Sequence, residues 1–337
     1  MNLRFTLSIT LSVIYLTIFA QTKEEKVAWS NYQKYYEAGF TQGTPEKRQA
    51  IGEFRTYFSR AGYKKYSGGD WRKTYENDLL RLQADGIFID LKDSDAGKSL
   101  GGNEADSGGS ITAAYNRIWH ISEAFRHGEL TYEKDREIWR RCQEAIVHYG
   151  RLENRRPNDY RRFHASCFAI PTAAVNIYFC HLSQMDAVEK GEIKDELSVA
   201  ACEMLKMMGL QAWTQPFRND ATDQNVVQLD RFRKHVWWVG GNALGYRSLL
   251  PVAFMLRSVS MVDLLADISQ KCISMTSQPT YDTSFWTEGF TADGAGWGHG
   301  MQCLIWGYPI DGTLNALNIL NMLKGSPWEK KLSRENV

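Results

Sequence analysis

The chain has no surplus of either charge: 40 Lys and Arg stand against 39 Asp and Glu. A near-neutral total argues against a general nucleic-acid binder, which carries a broad positive field. Cysteines are few and widely spaced (Cys142, Cys167, Cys180, Cys202, Cys272, Cys303), with no CxxC pair and no zinc-ligand pattern. Most fall on apolar helical faces, so buried free thiols are the expected state. Beyond residue 20 no stretch is long and apolar enough to cross a bilayer. Strand-like alternation is scarce, no repeat of fixed period occurs, and nothing marks an interdomain linker. Together these absences argue against a zinc module, a membrane-embedded chain and a short-repeat solenoid. One helical domain over residues 21–337 is the expectation.

Residues 1–20 read as a secretory signal. Arg4 supplies the charge and Leu7 to Phe19 an apolar core too short for a comfortable span, with Ala20 before the cleavage point. No cysteine stands there to carry a lipid anchor. Removing this segment takes away Arg4 and leaves 39 basic against 39 acidic side chains. The expected mature protein is secreted or periplasmic, soluble and monomeric, with neither membrane nor nucleic acid as partner. A local basic cluster (Arg140, Arg141, Arg151, Arg155, Arg156, Arg161, Arg162) reads as a solvated helix end and loop paired with Glu153 and Asp159. Attraction of a polyanion is the other reading.

Helical periodicity dominates what is present. Ile138, Cys142, Ala145, Ile146 and Tyr149 recur at helical spacing before a stop at Gly150. Leu197, Ala201, Met204, Leu205 and Met208 do so before Gly209, and Leu264, Leu265, Ile268, Cys272 and Met275 form a third set. Leu314 to Leu323 before Gly325 is a fourth. Helices of about four turns with short connections predict stacked antiparallel helical hairpins. Residues 92–110 and 210–235 interrupt the pattern as long irregular stretches, a length often tied to function.

Two constellations carry the chemistry. In Thr291–Tyr308, five glycines accompany His299, Tyr308 and the flat rings of Trp297 and Trp306. Glycine lets a backbone turn tightly and approach a ligand, and aromatic rings are platforms for sugar faces. In His235–Arg247, Trp237 and Trp238 precede Gly240-Gly241-Asn242 at an expected helix start. Asn242 is a natural N-cap there, and a helix start also presents N–H groups to a carboxylate.

These motifs resemble the helical catalytic domain of family 8 polysaccharide lyases, the group of chondroitin AC, hyaluronate and xanthan lyases. Gly240-Gly241-Asn242 resembles that family's asparagine element. Asp293 through His299-Gly300 to Gly307-Tyr308 resembles its His and Tyr elements, and Asp85-Gly-Ile-Phe-Ile-Asp90 its entry motif. Phe163–Pro171, the nearest counterpart of the family's Trp-rich motif, has no tryptophan, and the family's C-terminal β-sandwich domains have no counterpart. Either the chain is a piece of a longer enzyme, or it resembles a related, shorter, single-domain family of the glucuronan and alginate lyase type. The resemblance implies an all-α fold, an incomplete α/α toroid of antiparallel helical hairpins.

It also implies β-elimination on a uronic-acid polysaccharide, without metal or other cofactor. Removing the proton beside a carboxylate is feasible only if donors neutralise that carboxylate. Asn242 and His299 take this role, and Tyr308 acts as base and acid once cationic neighbours lower its ordinary pKa of about 10. Trp237, Trp238 and Trp297 would stack on sugar rings. Arg218, Arg233 and Arg247, with Arg231, are the candidate cations. Two other readings remain: a hydrolase using a carboxyl pair from Asp282, Glu288 and Asp293, or a glycan-binding protein without catalysis.

Overall fold

The computed structural model describes residues 22–62, 70–91, 109–155, 164–214, 226–227, 248–272, 289–290, 296–298, 302–303 and 308–331. The expected signal segment, most of both irregular stretches and part of the basic cluster lie outside them. Among the described residues the protein is all-α, as its periodicity predicts, with eleven α-helices and three very short strands. The helices are α1 (Lys23–Gly39), α2 (Pro45–Ala61), α3 (Trp71–Arg81), α4 (Gly109–Arg126), α5 (Arg136–Arg155) and α6 (Ile170–Cys180). There follow α7 (Leu182–Glu189), α8 (Glu196–Leu210), α9 (Leu249–Met255), α10 (Val259–Cys272) and α11 (Tyr308–Met322). No single helix among the described residues is long and apolar enough to cross a membrane.

The chain divides into two compact units. The first comprises Met1–Gln33, Thr56–Gln211 and Gln215–Phe217; the second comprises Lys34–Arg55, Ala212–Thr214 and Arg218–Val337.

In the first unit, α4 packs on α3, α5 and α6, while α8 packs on α5 and α6. Ile111, Tyr115, Ile118 and Ile121 of α4 are all fully buried, as befits a helix that is core on most sides. α5 is two-faced instead. Trp139, Cys142, Ala145, Ile146 and Tyr149 are buried, while Arg140 meets Glu137 and Glu144 on the outer side. Gly150 does not end this helix, which continues to Arg155. A Cβ at Gly150 would lie 2.3 Å from Met204 Cγ and 3.0 Å from the Tyr115 hydroxyl. The glycine therefore serves close approach of α8 rather than termination.

Ahead of α6, Ala165–Ala169 form a π-helical turn in which the Ile170 N–H reaches back five residues to the Ala165 carbonyl. Pro171 follows at the start of α6. Its ring and missing N–H disrupt ordinary α-bonding, and a widened turn accommodates both.

The Asp85–Asp90 motif also has a packing explanation. Gly86 has φ +78°, and a Cβ there would lie 2.4 Å from the Ala145 nitrogen and 2.5 Å from the Glu144 carbonyl carbon. Asp85 accepts from the Ile87 N–H at 3.0 Å, an Asx turn. Phe88 is fully buried beside Tyr149, whose hydroxyl accepts the Phe88 N–H at 3.1 Å.

In the second unit, α10 packs on α9 and α11. Arg55 is buried and donates to the carbonyls of Phe254 and Met255 at 3.0 and 2.9 Å, satisfying the end of α9. Trp328 is buried edge-on to Phe254 and donates to Asp263 at 2.6 Å. Strands β1 (Gly289–Phe290), β2 (Gly296–Gly298) and β3 (Gln302–Cys303) form an antiparallel sheet in the order β1-β2-β3. Periodicity alone did not anticipate this sheet, because each strand is too short to show an alternation. α11 also begins earlier than its apolar repeat, at Tyr308 rather than near Leu314.

Candidate functional site

All nine residues singled out for catalysis or sugar binding belong to the span Arg218–Val337 of the second unit. Asn242, His299, Trp237, Trp238, Arg218, Arg233 and Arg247 lie outside the described residues, as do Asp282, Glu288 and Asp293. Trp297 and Tyr308 have described backbones. Trp297 is the middle residue of the central strand, paired with Gly289 on one side and Cys303 on the other. Tyr308 is the first residue of α11, and α11 packs against β2 and β1. The segment read from sequence as a Gly-rich loop thus contains two of the three strands of a sheet that packs on the helix Tyr308 opens. Of its glycines, Gly296 and Gly298 stand in β2, where a residue without a side chain permits close backbone approach.

A residue at the first turn of a helix stands near the positive end of the helix dipole, which favours an anion. The nine-residue interval from His299 to Tyr308 therefore crosses β3 and ends at a helix start.

The first unit holds ionisable clusters that periodicity did not reveal. Asp78 accepts from His120 Nδ1 at 2.7 Å and lies 3.6 Å from Arg117 Nε. Arg117 makes two further bonds to Asp90, at 2.6 and 2.8 Å, and its guanidinium lies over the Phe88 ring. The Arg117 hydrogen bond holds the Asp90 carboxyl below its ordinary range. Arg81 also stands 3.8 Å from Asp90. This alternation of charges ties α3, α4 and the Asp85–Asp90 turn together.

A second cluster surrounds Lys206, whose Nζ lies 3.1 Å from Glu189 and 3.3 Å from Glu203. Tyr178 donates to Glu189 at 2.6 Å and Tyr32 to Glu203 at 3.1 Å. Burial alone would push the lysine pKa down. Cys202, the two carboxylates and Tyr32 outweigh it and leave the ammonium form strongly favoured. The one sequence cue was a lysine set between Leu205 and Met208 on an apolar helix. In a third cluster, Glu123 accepts from Trp119 Nε1 at 2.8 Å and pairs with Arg126.

The basic cluster proves to be engaged internally where it is described. Arg140 pairs with Glu137 and Glu144, Arg141 donates to the carbonyls of Leu79 and Leu82, and Arg155 pairs with Glu25. Glu153, expected to face arginines, accepts the Ser166 hydroxyl at 2.7 Å. Cys142, Cys167 and Cys202 are free and buried, and Cys180 is free and half-buried. No cluster of three or more His, Cys, Asp or Glu able to hold a metal occurs among the described residues.

Comparison with family models, curated proteins and solved structures gives no match.

Proposed function

We propose that the protein is an exported polysaccharide lyase that cleaves a uronic-acid polysaccharide by β-elimination. The observation that carries this reading is the join of the sheet to α11: Tyr308 starts a helix packed on the strand that ends one residue before His299. A helix start, the positive end of the helix dipole, is a setting that suits the anionic base such a reaction needs.

In this reading the Tyr308 phenolate takes the C5 proton of the uronate. Asn242 and His299 donate to the substrate carboxylate, which carries the developing negative charge. The C4–O4 bond then breaks, the electron pair of the former C5–H bond forms the C4=C5 double bond, and the Tyr308 phenol returns its proton to O4. Trp237, Trp238 and Trp297 serve as platforms for sugar rings. Arg218, Arg233 and Arg247 supply the positive field that draws an acidic chain. The architecture that goes with this chemistry is an incomplete α/α toroid of helical hairpins. The substrate class is a glycosaminoglycan such as chondroitin or hyaluronan, or a plain polyuronate such as glucuronan or alginate.

The test is incubation of the mature chain with these polymers while following ultraviolet absorbance. β-Elimination leaves an unsaturated, absorbing uronate at the new end; hydrolysis does not. Absorbing product from one polymer is the expected result. New reducing ends without absorbance would replace the reading by hydrolysis.

A further inference from the structure

His181 stands at the junction of α6 and α7, and its surface is wholly buried. Its ring is stacked on Trp139, with centroids 3.8 Å apart and planes at 25°. Phe125 of α4 and Tyr132, just before α5, complete an aromatic box at 5.3 and 5.8 Å. Nδ1 lies 2.6 Å from the Tyr132 hydroxyl oxygen. Nε2 is buried with no hydrogen-bond partner among the described residues. A neutral imidazole tolerates this setting. An imidazolium does not, because it carries a second N–H donor and a full charge into an apolar box.

Among the described residues, the groups that touch the ring carry no counter-charge. Burial pushes the Tyr132 phenol upward, the Cys142 thiol of α5 to about 12, and the Cys180 thiol of α6 well above its ordinary value. All three are therefore neutral wherever a histidine titrates. On α4, Glu123 is already engaged by Trp119 and Arg126. On α7, Glu189 is engaged by Lys206 and Tyr178.

We propose that His181 is an acid-sensitive lock of the first unit: neutral, it joins α4, the start of α5 and the α6–α7 junction, and its protonation requires the aromatic box to open. Burial is the sole cause acting on the ring and lowers its pKa from 6.5 to about 3. Between those values the unfolded chain binds the extra proton and the folded chain does not. Stability is thus intact above about pH 6.5 and is lost as pH falls toward about 3.

The experiment is urea unfolding of the full mature chain and of the double variant His181→Phe/Tyr132→Phe, between about pH 7.5 and pH 4. The double change keeps an aromatic ring on Trp139 and leaves no orphaned hydroxyl. The wild-type unfolding constant, divided by that of the variant, should rise toward tenfold per pH unit below about pH 6.5, the signature of one extra proton. A ratio independent of pH overturns the proposal. Ring nitrogen shifts of His181 in the wild-type chain decide the matter if the variant does not fold. A neutral ring in folded protein at about pH 5 is expected; an imidazolium there overturns the lock.

Discussion

Lys206, inside the first unit, meets two carboxylates within 3.3 Å, and each carboxylate also takes a tyrosine hydroxyl. Asp78 is treated the same way, with His120 on one oxygen and Arg117 facing the other. In these clusters charge is consumed by the fold. The second unit is built differently around Tyr308: a sheet of strands two or three residues long, rich in glycine, sits on the helix that this phenol opens. The contrast teaches that buried ionisable groups do not by themselves mark a site. Where every partner is internal, they report on stability. In the proposed reading the chemistry belongs instead to the second unit, where Tyr308 stands at a helix start beside a short sheet.

The largest effect that would break this contrast is on Tyr308. Replacement by phenylalanine keeps the ring but removes the proton carrier, so formation of absorbing product should fall by about 10³-fold or more. Thermal unfolding should hardly change. Near-normal turnover would return Tyr308 to an ordinary structural aromatic and take the proposed function with it.

Lys206→Met should act in the opposite manner. It leaves Glu189 and Glu203 without their cation and should cost about 3 kcal/mol of stability. Turnover per folded molecule should be unaltered, as denaturant titration alongside an activity assay would reveal. A selective loss of turnover would mean that the first unit contributes to chemistry after all.

Next in size is Asn242→Ala. Removing a donor to the substrate carboxylate should slow turnover by about 100-fold. If Asn242 only caps a helix, the change should instead cost about 1 kcal/mol in stability and spare the rate. Melting temperature and rate, measured together, separate the two roles.

The smallest effect is expected at Asp90→Asn, since Asp90 is 42 % exposed where it pairs with Arg117. A solvent-screened pair of this kind is worth under about 1 kcal/mol. The folded-state pKa of Asp90 is lowered by Arg117, so its contribution is present above the ordinary carboxylate range and lost as acid protonates it. The difference between wild type and variant should therefore shrink on acidification. A difference that grows instead would count against the pairing.

Local spacing along the chain determined much of this molecule. The apolar repeats of α5, α8, α10 and α11 announce helices because each buries one face at a period near 3.6 residues. The all-α class follows from them. The grouping of His299 and Tyr308 with Asn242 is likewise a sequence-level inference, resting on residue type and order. Only tertiary structure decided that Gly150 is a helix-interior contact with Met204, because the need for glycine comes from a neighbouring helix. It alone joined Asp78 to His120, 42 residues apart, and Tyr32 to Glu203, 171 apart. It alone revealed the three-stranded sheet, whose strands of two or three residues are too short to carry an alternation to read. Periodicity records what each segment buries; which partner it is buried against is fixed only when distant segments meet.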